Sequence, residues 1–122
     1  MYCDIKERSF QFSKNVVLFV NKISFSWVYR SLFEQLLKSA TSVGANIIEA
    51  RSGNSIKNLI SYYSIALRSA NETYYWLRLI HETINVNHQE IEYLTKESSE
   101  IAKILGKSIV TLKQKVQSAE QK

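Results

Sequence analysis

The sequence contains no proline, only three glycines and a single cysteine in 122 residues. Proline and glycine mark turns and sheet corners, so their scarcity excludes a fold with many tight connections and favours a few long helices. Cys3 stands alone, which excludes a disulfide within the chain and a four-cysteine metal site. A lone thiol is typical of a reducing compartment, and we expect a cytoplasmic protein.

Long hydrophobic segments are missing as well. The longest apolar run covers residues 16–20 (VVLFV), whereas a membrane-spanning helix needs about 20 apolar residues. Residues 1–8 mix charges of both signs and have no apolar core of a signal peptide. We therefore expect neither membrane insertion nor export. A chain of this length corresponds to one domain, which we place over residues 1–122.

Apolar residues recur every three or four positions along four stretches of the chain, which is the period of an amphipathic helix. The stretches predict helices at about 9–23, 28–51, 55–84 and 88–116. The breaks between them are short: 24–26 (SFS), 52–55 (SGNS) and 85–87 (NVN). Short connections join antiparallel neighbours. The predicted fold is all-α, an up-and-down antiparallel four-helix bundle.

Capping residues stand near the predicted helix ends. Gly53 fits the left-handed position that often follows a helix. Serine and asparagine side chains accept hydrogen bonds from the first free backbone N–H groups of a helix. The candidate N-caps are Ser9 or Ser13 for the first helix, Asn54 or Ser55 for the third, and Asn87 for the fourth.

The second and third helices carry more than one core stripe. Gly44, in the middle of the second helix, costs about 1 kcal/mol relative to alanine. It is either a tolerated defect or a point of close approach by a neighbouring helix, and we favour close approach. The third helix has two adjoining apolar stripes, which fits a central position in the bundle or a subunit interface.

Sequence motifs for catalysis are missing. The three glycines are isolated, so the chain has no phosphate-binding loop, and no serine lies in a Gly-x-Ser-x-Gly turn. His81 and His88 are separated by the break at residues 85–87 and lack the spacing of helical metal sites. We interpret them as surface histidines. The expectation is a protein that is not an enzyme and has no catalytic residues, metal site or cofactor.

Two carboxylates, Glu49 and Glu72, are placed toward the interior by helical phase. A pair of carboxylates is able to perform acid–base chemistry. More often such groups pair with arginine, and we interpret them as structural. The nearby candidate partners are Arg51, Arg68 and Arg78.

The formal net charge of +5 favours anionic partners such as nucleic acid, although it also fits a charge that serves solubility. Tyr62, Tyr75 and Trp76 on the third helix provide either aromatic stacking platforms for single-stranded RNA or DNA, or packing. The candidate nucleic-acid-binding residues are Lys38, Arg51, Lys57, Arg68 and Arg78.

Two motifs in the second and third helices resemble a known family. The second helix contains residues 35–39 (QLLKS), 41–46 (TSVGAN) and 49–50 (EA), and the third contains 65–67 (IAL) and 72–77 (ETYYWL). They resemble the bacterial four-helix bundle protein family, which includes proteins encoded in intervening sequences of large-subunit ribosomal RNA genes. The chain is also similar to the accessory variability protein of diversity-generating retroelements.

The resemblance implies a homopentamer without enzyme activity, and in the retroelement relatives a basic surface that binds RNA and a reverse transcriptase. The family pattern has charges at positions that are neutral here, namely Ile48, Asn58, Tyr62 and Ser69. We therefore expect a reduced polar network between the second and third helices, centred on Asn46, Glu49, Arg68 and Glu72. The candidate interface residues are Tyr62, Ser69, Thr73 and Trp76.

Two functional hypotheses follow. The first is a non-enzymatic, self-assembling protein that binds RNA, DNA or a reverse-transcriptase complex. The alternative is a structural homo-oligomer that scaffolds a protein partner without binding nucleic acid. Salt-dependent binding to nucleic acid distinguishes the two.

Overall fold

A computed structural model describes residues 4–53 and 55–120 of the chain. These residues form four long helices: α1 (Ile5–Asn21), α2 (Arg30–Ser52), α3 (Ile56–Thr83) and α4 (His88–Glu120). A short 3-10 turn, Trp27–Tyr29, leads into α2. No β-strand occurs in the described part of the chain. The prediction of an all-α four-helix bundle is confirmed.

The first helix begins earlier than the sequence pattern predicts. It starts at Ile5 because the Asp4 side chain accepts a hydrogen bond from the backbone N–H of Lys6 (3.4 Å) and serves as the N-cap. The prediction of a cap at Ser9 or Ser13 is therefore wrong. Both serines lie within the helix, where Ser9 Oγ donates to the carbonyl oxygen of Lys6.

At the α2–α3 connection, the start of α3 is capped as predicted. The residue after the end of α2 has a backbone conformation that differs from the prediction. Ser55 Oγ accepts a hydrogen bond from the N–H of Asn58 (3.1 Å), which confirms the serine as the N-cap of α3. Asn54, the alternative cap, lies outside the described residues. Gly53 has φ −84° and ψ 169°, an extended conformation, so the predicted left-handed position is wrong. A Cβ atom added at Gly53 would clash with the side-chain amide of Asn58.

The last helix starts where predicted and runs further. Asn87 Oδ1 accepts from the N–H of Glu90 (2.8 Å), so the predicted cap is confirmed. The helix continues to Glu120, four residues past the predicted end at 116, and Lys122 lies outside the described residues. No helix in the described ranges is long and apolar enough to cross a membrane.

The core runs along the whole bundle and is built from aliphatic and aromatic side chains on the inward faces of all four helices. Helix α3 is central, because it packs extensively against both α2 and α4. This position explains the two apolar stripes of the third helix. The largest fully buried side chains are Phe12, Val16, Phe19, Phe33, Leu36, Ile47, Leu77, Ile80, Ile91, Leu94, Ile101 and Leu105.

Small residues bring α1 against α2. A Cβ atom added at Gly44 would lie 3.5 Å from Ser9 Oγ and 3.6 Å from Ser13 Oγ, which is ordinary van der Waals contact. Ser13 Oγ donates to the carbonyl oxygen of Ala40 (3.1 Å) across the same contact. The neighbour that approaches Gly44 is thus α1 of the same chain.

Among the four packed pairs of long helices, the seam between α1 and α4 is the least extensive contact. Polar side chains bridge it. Arg8 Nε and Nη2 donate to the two carboxylate oxygens of Glu97, each at 2.8 Å. Near the other end, Lys22 Nζ lies 2.7 Å from Glu90 Oε1. Charge pairing thus supplements the limited packing of α1 on α4.

Candidate interaction surfaces

Hydroxyl groups form the polar contact between α2 and α3. Thr73 Oγ1 donates to Ser39 Oγ (2.9 Å), and Ser69 Oγ donates to Ser42 Oγ (3.0 Å). Asn46 Nδ2 donates to Ser42 Oγ (2.9 Å) and extends this row along α2. Because the side chains are small, the two helices approach closely.

The predicted polar network of Asn46, Glu49, Arg68 and Glu72 does not form within the described part of the chain. Asn46 is half-buried and bonds within α2, whereas Glu49, Arg68 and Glu72 are exposed. No hydrogen bond or ion pair joins those three side chains to any other described residue. The placement of the two glutamates toward the interior is therefore wrong. Helical phase assigned both glutamates to the buried side of their helices. In the structure both side chains are exposed.

The predicted interface residues differ in their accessibility. Thr73 has 0% exposure, so it is part of the core of the chain and its assignment to an interface is wrong. Ser69 and Tyr62 are half-buried, and the Ser69 hydroxyl is already used by Ser42. Trp76 is also half-buried on this side of α3.

Trp76 carries the one buried side-chain polar atom that has no hydrogen-bond partner among the described residues, its indole Nε1. Buried donors without an acceptor are destabilising. The adjacent Tyr75 is 59% exposed and contacts the indole edge-on, with ring centroids 5.1 Å apart. The outer face of α3 thus combines an unsatisfied donor with an exposed aromatic ring.

Charge is separated along α4. Residues 88–100 contain four glutamates and one lysine, and residues 101–120 contain four lysines and one glutamate. The lysines of the second half are Lys103, Lys107, Lys113 and Lys115, all exposed. Cations near a helix C-terminus are favourable for the helix dipole, so a structural role accounts for part of this pattern.

The lysines of α4 meet the start of α3 at one end of the bundle, which we call the basic end (Arg51, Lys57, Lys107, Lys113). Lys57 and Lys113 flank a groove floored by Ile60 and Val116. Lys107 borders the next hollow, between α3 and α4, which Tyr63 also lines. Lys57 forms an ion pair with Glu120, whose carboxylate oxygen lies 3.7 Å from Nζ.

Arg51 is held at the basic end by two partners. It forms an ion pair with Asp4 (Nη2 to Oδ1, 2.8 Å), and its Nε donates to the hydroxyl of Tyr63 (3.4 Å). The Tyr63 hydrogen bond raises the pKa of Arg51 above its ordinary value, and the charge of Asp4 adds to this against the opposing effect of burial. The guanidinium is therefore a permanent positive charge.

The structure brings together only some of the predicted nucleic-acid-binding residues. Arg51 and Lys57 lie at the basic end. Arg78 lies 21 residues beyond Lys57 on α3, or about 30 Å along the helix, and pairs with Glu82 (3.4 Å). Lys38 and Arg68 are exposed on the outer surfaces of α2 and α3. The α4 lysines were missed as binding residues, although their clustering is readable from the sequence.

The two histidines, interpreted from the sequence as separate surface residues, are in contact. His81 Nε2 and His88 Nδ1 lie 3.1 Å apart, and His88 Nε2 lies 3.0 Å from Glu92 Oε1. Within residues 4–53 and 55–120, no group of three or more His, Cys, Asp or Glu side chains is arranged to hold a metal ion.

Two comparisons with known proteins relate the chain to a family. The pattern described as 23S rRNA-intervening sequence protein matches residues 2–107. The structure is similar to the crystal structure of a protein from Bacteroides thetaiotaomicron VPI-5482, described as having unknown function and as coming from the S23 ribosomal protein family. The two chains are 34% identical with a TM-score of 0.76, over 87% of this chain and 98% of that one. No curated protein matches the chain.

Four packed helices with a central α3 define an all-α four-helix protein. The chain belongs to the family of 23S rRNA-intervening sequence proteins. This confirms the resemblance drawn from the second and third helices. The similarity to the retroelement accessory protein stays a prediction. The family match ends at residue 107, so Lys113 and Lys115 of the α4 lysines lie outside it.

Proposed function

We propose that this chain is a cytoplasmic, non-enzymatic protein that assembles into a homo-oligomer and binds structured RNA through the basic end of the bundle. The observation that carries the proposal is the charge separation along α4. The basic end adds Lys57 and Arg51 from the neighbouring helices to the lysines of α4. Phosphate groups supply the complementary charge.

The family name supports RNA as the anionic partner. The matching family is described by the ribosomal RNA intervening sequence with which its members are associated. The groove between Lys57 and Lys113 also has an apolar floor of Ile60 and Val116, onto which a ribose or base is able to pack. The proposed contact is therefore a set of phosphate-binding lysines on either side of an apolar groove.

Self-assembly is supported by the outer face of α3. The half-buried ring of Trp76, with its unpaired Nε1, contacts the exposed ring of Tyr75 on this face. A second copy of the chain would cover these rings. The proposed oligomer is a pentamer, as the family resemblance implies, and a ring of chains would present several basic ends to one RNA.

The test is RNA binding measured by fluorescence anisotropy with a labelled RNA hairpin at two salt concentrations. Replacing Lys57, Lys107 and Lys113 by glutamine removes three cations from the basic end. Each lost phosphate contact lowers the slope of log K against log salt by about 0.7–0.9, so the triple variant loses up to about 2–3 in slope. Weakening should be strong at low salt and small at high salt.

A matched control removes the same charge elsewhere. Lys14, Arg30 and Lys96 are exposed and have no ion pair among the described residues, and they lie away from the basic end. Replacing all three by glutamine changes the net charge equally and should leave most of the salt dependence intact. Equal losses in both triple variants would contradict the basic end as the site, and no binding by the wild-type protein at low salt would contradict the function.

An apolar surface on the other side of the bundle favours the alternative, a scaffold for a protein partner. The outward side of α1 and the following turn expose Phe10, Val17, Leu18, Trp27 and Val28. Trp27 is 83% exposed, and clusters of this kind commonly mark protein interfaces. A partner retained after nuclease treatment and lost on replacing Phe10 and Leu18 by serine would favour this alternative.

A further inference from the structure

The contact between His81 and His88 is made by the turn that joins α3 to α4. His81 lies in the last turn of α3, and His88 is the first residue of α4. The ends of both helices are fixed by hydrogen bonds, from the N–H of Ile84 to the carbonyl of Ile80 (2.9 Å) and from the N–H of Glu90 to Asn87 Oδ1 (2.8 Å). The two imidazoles are thus held together by the fold.

We propose that His81 and His88 bind one divalent transition-metal ion of the zinc class. In such sites each nitrogen lies about 2.0–2.1 Å from the metal. Two nitrogen ligands of one ion are then about 2.9–3.4 Å apart, depending on octahedral or tetrahedral geometry. The observed separation of 3.1 Å between His81 Nε2 and His88 Nδ1 falls in this range.

Glu92 is placed to accept the second ring N–H of His88, as carboxylates do for metal-binding histidines. Its Oε1 lies 3.0 Å from Nε2 of His88, on the ring nitrogen that does not face His81. A carboxylate in this place holds a proton on Nε2, which leaves the lone pair on Nδ1 directed at the other histidine. Metal-binding histidines almost always donate their second N–H to such an acceptor.

Metal binding would replace the hydrogen bond between the two rings. In the metal-free pair one nitrogen donates a proton to the other. On binding, the proton on Nε2 of His81 moves to Nδ1 of the same ring, so both imidazoles are neutral and both lone pairs face the ion. Water would fill the remaining positions around the ion. Mg²⁺ and Ca²⁺ prefer oxygen ligands and should not bind here.

The experiment is a calorimetric titration of the tag-free, full-length protein with ZnCl₂, together with NMR spectra of the histidine ring protons. The expected result is one zinc ion per chain and selective shifts of both imidazoles. His81→Gln and His88→Gln should each weaken binding by tenfold or more, and Glu92→Gln should weaken it by about tenfold. Circular dichroism establishes that each variant is folded.

Two controls separate this pair from other ligands. Glu82 follows His81 directly but pairs with Arg78, so Glu82→Gln should leave zinc affinity unchanged. Cys3→Ser removes the single thiol and should also leave it unchanged. Binding that survives in the His81→Gln and His88→Gln variants, or no binding by the wild-type protein, would overturn the proposal. The outcome is independent of RNA binding.

Discussion

The hydroxyl oxygen of Thr73 lies 2.9 Å from that of Ser39, in the fully buried contact between α2 and α3. Replacing Thr73 by valine keeps the shape and removes the hydroxyl, so Ser39 loses a buried partner. We expect the free energy of unfolding to fall by about 1–2 kcal/mol. Urea unfolding followed by circular dichroism measures the change.

The matched control for this prediction is Thr41→Val. Thr41 is an exposed residue of the same helix pair, and its hydroxyl bonds only to its own helix. The same substitution there should change the free energy of unfolding by less than about 0.5 kcal/mol. If the two variants lose equal stability, the buried hydroxyl pair makes no special contribution.

Glycine provides a second prediction. Nothing lies within 4 Å of a Cβ atom added at Gly106 in the interior of α4. Gly106→Ala should therefore raise the free energy of unfolding by about 1 kcal/mol through helix propensity. Gly44→Ala should gain at least as much, because its new methyl group would be buried in ordinary van der Waals contact with Ser9 and Ser13. A loss of stability at Gly44 would contradict this account of the α1–α2 contact.

The sequence was sufficient to predict the four helices, because apolar spacing and short polar breaks agree along the whole chain. It failed at the start of α1, where the Asp4 cap precedes the first regular apolar position used for the prediction. It also failed for Glu49 and Glu72. A helix with two apolar stripes leaves the limits of its buried face undefined until the neighbouring helices are in place.

The surface features were harder to predict, since they depend on contacts between distant residues. His81 and His88 are separated by a break in the helical pattern, and only the geometry of the turn brings their rings together. The charge clustering of α4 is visible in the sequence, whereas the placement of Lys57 beside Lys113 requires the packing of α3 on α4.

The bidentate pair between Arg8 and Glu97 leads to a third prediction, because it links α1 to α4 where packing is limited. Glu97→Gln should lower the free energy of unfolding by about 1–2 kcal/mol, since both groups are largely shielded from water. Hydrogen exchange should show the largest loss of protection in α1. Glu82→Gln, which removes an exposed pair within α3, should have almost no effect.

The raised pKa of Arg51 leads to a prediction about pH. A group whose pKa is raised in the folded state stabilises the fold below its ordinary pKa and loses that effect only as pH rises through the higher value. For arginine this window lies above physiological pH. Arg51→Gln should thus lower the free energy of unfolding by a constant amount between about pH 6 and 9, of about 0.5 kcal/mol given its exposure. A loss that varies strongly across this range would contradict it.

The last prediction concerns the indole of Trp76 and self-assembly. Trp76→Phe removes the buried N–H that has no partner in one chain and keeps an aromatic ring. If a second copy packs on this face of α3, the smaller ring fills less of the contact and should weaken association severalfold. Sedimentation at a series of protein concentrations measures the change.

The matched control is Trp27→Phe, because Trp27 is the other tryptophan and lies in the turn before α2, outside α3. Glu72→Ala extends the test along the exposed face of α3 and should also weaken association, whereas Lys14→Ala on α1 should not. An interface on α3 requires Trp76→Phe to act on the assembly while Trp27→Phe does not. Equal mass distributions for both tryptophan variants and the wild-type protein would place the subunit contact elsewhere. The unpaired N–H of Trp76 would then only lower the stability of the single chain.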